Sequence, residues 1–99
     1  MTSYAEHMTF DRRLCILRLL TESNGSANDS VLQIGLESLG HSRLARSQVR
    51  DDIRALEARD LLKVELFADV LVCTITKRGV EVAEGRLVVE GVKKPSIGV

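Results

Sequence analysis

Ser47-Gln48-Val49-Arg50-Asp51-Asp52-Ile53-Arg54-Ala55-Leu56-Glu57-Ala58-Arg59 runs directly into Asp60-Leu61-Leu62-Lys63-Val64-Glu65-Leu66, and this change of rhythm decides the fold. In the first part Val49, Ile53 and Leu56 recur at helical spacing, which predicts a helix starting between Ala45 and Ser47 and ending at about Arg59. Asp60 stands where a left-handed residue is wanted, a position that Gly fills more easily. In the second part Leu62, Val64 and Leu66 alternate with Lys63 and Glu65, as in a half-buried strand. Ala68-Asp69 then reads as a turn. Val70 to Ile75 reads as the return strand of a hairpin, with Leu71, Cys73 and Ile75 inward.

Working outward, the connection from Gly40 to Ala45 is short enough for a helix-turn-helix. The helix before it is expected to start at the N-cap Asn28, bury Leu32, Leu36 and Leu39, and stop at Gly40. Gly35 within it predicts a close neighbouring helix. Ser3-Tyr4-Ala5-Glu6 is a capping box for a first helix from Tyr4 to about Thr21, with Phe10, Leu14, Leu17 and Leu20 as its apolar stripe. Ser23 to Ser26 breaks that helix. After the hairpin, Thr76 caps a fourth helix to about Glu84 that buries Val80 and Ala83. Gly85 stops it. The fold class is therefore α+β and mainly helical, with three helices, a β-hairpin and a C-terminal helix in one domain over residues 1–84. Residues 85–99 are expected to form an extended tail.

Composition sets the limits on function. The chain has 99 residues, 44% apolar and 28% charged, which suits one soluble domain with its own core. Aromatic residues are scarce, so the platforms on which single-strand binders stack bases are missing. The net charge is zero, against the basic footprint of a strong non-specific nucleic-acid binder, although a local basic patch remains compatible with it. Cys15 and Cys73 lie in apolar runs without a C-x-x-C partner and read as small core thiols in a reducing cytoplasm. His7 and His41 have no metal-ligand spacing and read as surface residues. No cofactor or metal is expected. No nucleophile–base set or phosphate-binding Gly loop is present, so an enzyme is not expected. The first residues carry no apolar signal-peptide core and no run spans a bilayer, so a cytoplasmic location is expected.

Two segments add a resemblance. Ile53 to Leu62 is similar to the end of the recognition helix in bacterial winged-helix regulators of the ArsR/MarR type, where the pattern is L-E-x-x-G-L. Asp60 replaces its Gly. Ile75-Thr76-Lys77-Arg78-Gly79-Val80-Glu81-Val82-Ala83 resembles the L-T-x-x-G-x-x-x-A segment after the wing in the same regulators. Across nearly the whole chain, Ser3 to Glu6, Arg13 to Leu20, Ser47 to Ile53, Ala83 to Gly85 and Gly91 to Pro95 look like a family of small phage and prophage proteins of Mu-like phages. The resemblance implies a winged helix-turn-helix of viral or prophage origin.

In that fold the exposed face of the helix after the turn enters the major groove. The candidate DNA-binding residues are Arg43, Arg46, Ser47, Gln48, Arg50 and Arg54. Arginine reads guanine bidentately or neutralises phosphate, and residues at the helix start meet the duplex. The same letters also fit a solvated helix, because Asp51–Arg54 and Arg54–Glu57 are spaced to pair internally. Asp51 on that face would repel phosphate. The hairpin tip has no Lys or Arg, and Phe67 there is either exposed for a protein contact or folded back onto the core. Two functions stay open. One is a phage or prophage transcriptional regulator bound to double-stranded DNA as a homodimer, with dimer contacts from the first helix or from Leu87, Val88, Val89 and Val92. The other is a module that uses the fold to contact a phage or host protein without DNA.

Overall fold

A computed structural model describes residues 2–96; position 1 of the expected domain and positions 97–99 of the expected tail lie outside the described residues. The elements are α1 (Tyr4–Glu22), β1 (Ser26–Asn28), α2 (Asp29–Ser38), α3 (Arg46–Ala58), β2 (Leu62–Phe67), β3 (Val70–Ile75) and α4 (Lys77–Ala83). About half of the chain is helical, and the strands form one antiparallel sheet in the order β1-β3-β2.

The helix caps act as their residues predict. The Glu6 backbone N–H donates to Ser3 Oγ at 3.2 Å while the Ser3 N–H donates to Glu6 Oε1 at 3.1 Å. The Asn28 side chain accepts from the Val31 N–H at 2.9 Å, and Thr76 Oγ1 accepts from the Gly79 N–H at 3.0 Å. Asp60 adopts φ 60, the left-handed position expected of it, and its carbonyl accepts from Thr76 Oγ1 at 2.7 Å.

Strand β1 was not legible in the sequence. Ser26-Ala27-Asn28 has little intrinsic β preference, and its pairing with Thr74, Cys73 and Val72 is supplied by a distant strand. Asn24 (φ 60) and Gly25 (φ 97) turn the chain out of α1, and the Ile75 N–H donates to the Gly25 carbonyl at 2.8 Å.

The core is aliphatic and draws on every layer. It joins Leu14, Ile16, Leu17 and Leu20 of α1 to Leu32 and Leu36 of α2, to Val49, Ile53 and Leu56 of α3, and to Leu71 and Cys73 of β3. Gly35 does mark a close approach: a Cβ there would lie 2.8 Å from Leu19 Cδ1 of α1. Three expected core positions differ. Leu39, the C-cap of α2, and Leu66, near the hairpin turn, are exposed. On α4 the buried residues are Gly79, Val82 and Ala83, and Val80 is only half-buried.

Residues 86–96 have no helix or strand, yet they are folded against the domain. Arg13 Nη1 donates to the Gly91 carbonyl at 3.2 Å, the Lys93 N–H to the Phe10 carbonyl at 3.1 Å, and Arg59 Nε to the Glu90 carbonyl at 2.9 Å. Val92 is in the core, and Leu87 and Val89 pack on it; Val88 stays exposed. Of the residues expected to offer a dimer contact here, Leu87, Val89 and Val92 thus pack within this chain and Val88 is exposed.

Candidate functional site

The candidate face is built where the α2–α3 connection delivers α3. Leu44 is held by Gln33 Nε2, which donates to its carbonyl at 2.8 Å. Ala45, the N-cap of α3, has no side-chain acceptor, so Gln48 supplies only the reciprocal half of a cap: its Oε1 accepts from the Ala45 N–H at 2.9 Å. Arg43 is exposed with φ 60, and Arg46, Ser47 and Gln48 are exposed in the first turn.

Arg46 and Arg50 are brought together by a buried carboxylate. Arg50 Nε donates to Asp29 Oδ2 at 2.7 Å, and Arg46 Nε lies 3.9 Å from the same oxygen. Asp29 Oδ1 accepts from the Leu71 N–H at 3.3 Å. Arg50 Nη2 also donates to the Asp69 carbonyl in the hairpin turn, and Arg46 Nη2 to Ser30 Oγ. One carboxylate thus fastens the start of α2, the first half of α3 and strand β3. Arg50, a candidate ligand-facing residue by sequence, has its guanidinium engaged within the protein.

Arg54 pairs with Glu57 at 2.9 Å, the internal pairing its spacing allowed. Asp51 is exposed on the same helix. At the hairpin tip Phe67 is 74% and Leu66 67% exposed, so Phe67 does not fold back. Ala68, the first central residue of that turn, has φ 53.

Two further charged clusters were not anticipated. Asp52 is buried on the inner face of α3, where Arg12 Nε (2.6 Å) and Arg13 Nε (3.1 Å) of α1 donate to its two oxygens. The apolar stripe alone does not reveal it, since its partners lie far back in the chain. His41, expected at the surface, is buried: its Nε2 is 2.7 Å from Asp11 Oδ2, while Lys93 Nζ is 3.4 Å from Asp11 Oδ1. Burial raises the Asp11 pKa, but the hydrogen bonds and charges of His41 and Lys93 outweigh it and leave the carboxyl below its ordinary value. Cys15, one helical turn after Asp11, has its thiol 3.9 Å from Asp11 Oδ2. The ligand atoms of Asp11, Cys15 and His41 all lie within 4.8 Å of one another. Cys73 is buried as expected, and burial followed by the nearby Asp29 charge pushes its thiol up to about 12.

Among the described residues no helix is long and apolar enough to cross a membrane. No family model matches the sequence. The chain is 47% identical over 88 residues to the uncharacterized protein gp26 of Escherichia phage Mu, covering 89% of this chain and 91% of that protein. It is 39% identical over 77 residues to an uncharacterized protein of Haemophilus influenzae, covering 77% of this chain and 74% of that one.

Proposed function

This chain belongs to the family of the phage Mu protein gp26, and on that premise we propose that it is a phage or prophage DNA-binding regulator with a winged helix-turn-helix fold. The element order supports the fold reading: α2 and α3 flank a short turn, and the β2–β3 hairpin follows α3 where a wing belongs. A homodimer reading paired half-sites is the matching assembly.

One observation carries the DNA reading. Arg43, Arg46 and Ser47 are exposed together around the first turn of α3, and Arg50 ties that helix to the hairpin turn. Helix and wing then meet a duplex as one preset surface. Arg43 and Arg46 supply phosphate or guanine contacts, Ser47 a backbone-phosphate contact, and Arg50 acts by position. Gln48 contributes through its cap, and Arg54 engages DNA by exchanging Glu57 for phosphate.

A titration of labelled duplex at several salt concentrations tests this. With two to four phosphates neutralised, log affinity falls against log salt with a slope of roughly −2 to −4. Replacing Arg43 and Arg46 together by Ala lowers the magnitude of that slope by about 2. Undetectable binding at low salt, or binding indifferent to both replacements, refutes the DNA reading.

The second reading, a protein-contact module, rests on Leu66 and Phe67. Two large apolar side chains, on consecutive residues at the end of β2, stand exposed beside the hairpin turn. Under this reading Phe67→Ser abolishes partner capture in phage-infected cells, while the Arg43/Arg46 replacement leaves it intact.

A further inference from the structure

Asp11 and Cys15 are one turn apart on α1 and present their side chains on the same side. His41, from the turn between α2 and α3, closes on them from the other side. Three elements of different chemistry, one carboxylate oxygen, one thiol sulfur and one imidazole nitrogen, converge within 4.8 Å. We propose that Asp11, Cys15 and His41 form a binding site for a single zinc ion, tying α1 to the connection that leads into α3.

The donor set fits that ion. Zinc is borderline in softness and takes sulfur, nitrogen and oxygen ligands in four-coordinate geometry, with water in the open position of a three-ligand site. Ligand atoms around such an ion stand about 3.3–3.5 Å apart, given bonds of about 2.0 Å to N or O and about 2.3 Å to S. The observed Asp11 Oδ2–Cys15 Sγ separation of 3.9 Å is close to this. The Asp11 Oδ2–His41 Nε2 separation of 2.7 Å is that of a hydrogen bond, so the carboxylate must draw back by roughly half an ångström as the ion enters. Lys93 Nζ meets Asp11 through Oδ1, which leaves Oδ2 to the metal and orients the carboxylate as an outer-shell partner does. Binding forms a zinc–sulfur bond and releases the thiol proton to solvent, while the Nε2 proton that His41 shares with Asp11 passes to solvent or to Nδ1, freeing the Nε2 lone pair for the ion.

This site is independent of the DNA reading, because neither Arg43 nor Arg46 takes part in it. Cobalt(II), as a spectroscopic stand-in, and then zinc itself are the probes, added to the full-length protein after chelator treatment. One equivalent of cobalt is expected to give the intense visible bands of four-coordinate geometry and a near-ultraviolet thiolate-to-metal band. One equivalent of zinc is expected to bleach both. Cys15→Ser removes the thiolate band, and His41→Gln weakens zinc binding at least tenfold. Because His41 is buried, Asp11→Asn, at a more exposed position, serves as a second ligand variant and is expected to weaken binding likewise. Cobalt spectra no different from those of the hydrated ion overturn the proposal. So does a thiolate band that survives in Cys15→Ser, or zinc affinity unchanged in both Asp11→Asn and His41→Gln.

Discussion

Arg50 Nε donates to Asp29 Oδ2 at 2.7 Å, and the Asp29 side chain is wholly buried while the arginine is about one-third exposed. The pair joins the first residue of α2 to the first half of α3, and through Asp69 and Leu71 it reaches the hairpin turn and strand β3. Its geometry ties α2, α3 and the hairpin to one another.

Removing the arginine strands a buried carboxylate that retains the Leu71 N–H and the more distant Arg46. Arg50→Ala is therefore expected to lower stability by about 1–3 kcal/mol, the usual cost of leaving a buried polar group short of a partner. Arg50→Lys recovers little of this, because an ammonium lacks the planar fork that meets Asp29 and the Asp69 carbonyl at once. Urea unfolding of the three proteins measures it. Equal midpoints for wild type and Arg50→Ala would show the pair to be incidental.

Two glycines separate flexible from rigid crowding. At Gly79 a Cβ would lie 2.0 Å from the Leu61 carbonyl oxygen, an atom already fixed by accepting from the Thr76 N–H. At Gly35 it would meet only the far end of Leu19. Gly79→Ala should destabilise by about 2–3 kcal/mol through overpacking against backbone. Gly35→Ala should stay within about 1 kcal/mol of wild type, since the better helix propensity of Ala offsets the shift of Leu19. Thermal unfolding of both variants is the check, and the reverse order would refute the argument.

Asp60 holds φ 60 between α3 and β2. An L-residue there costs about 1–2 kcal/mol, which Gly avoids while losing part of the gain to its freer unfolded chain. Asp60→Gly is expected to raise stability by about 0.5–1 kcal/mol, the net of these two effects. A lower unfolding midpoint for Asp60→Gly would mean that the aspartate makes a compensating interaction.

What was legible in the sequence was local. Ser3, Asn28 and Thr76 announce their helix starts because a cap depends on residues three apart, and Val49, Ile53 and Leu56 announce their face because periodicity is read in one window. Strand β1 was hidden because its partner, β3, lies far along the chain. The same reason hid the charged residues that organise the candidate face. Nothing local singles out Asp29, and only folding shows it buried under Arg50 and the Leu71 N–H. His41 reads as a lone loop histidine until α1 brings Asp11 and Cys15 to it. The resemblance located the helix but not the state of its arginines. Whether Arg50 faces a ligand or a carboxylate depends on a residue in another helix.

The Asp29 charge also bears on Cys73. Burial first, and Asp29 second, raise this thiol to about 12 from an ordinary value of 9.0. A raised folded value means that the unfolded chain loses its proton first. Stability attributable to the thiol is complete below pH 9.0 and declines as pH rises from there towards 12. In a Cys15→Ser background, Cys73→Ala is expected to lose less stability than its parent between these two pH values. The difference isolates the thiol from every group that the two proteins share. Below pH 9, Cys73 should react with a thiol reagent only at the rate at which the protein opens, so that labelling accelerates with urea. Rapid labelling of the native protein at pH 8, or parallel stability curves for the two proteins up to pH 12, would place Cys73 outside the core and remove the link to Asp29.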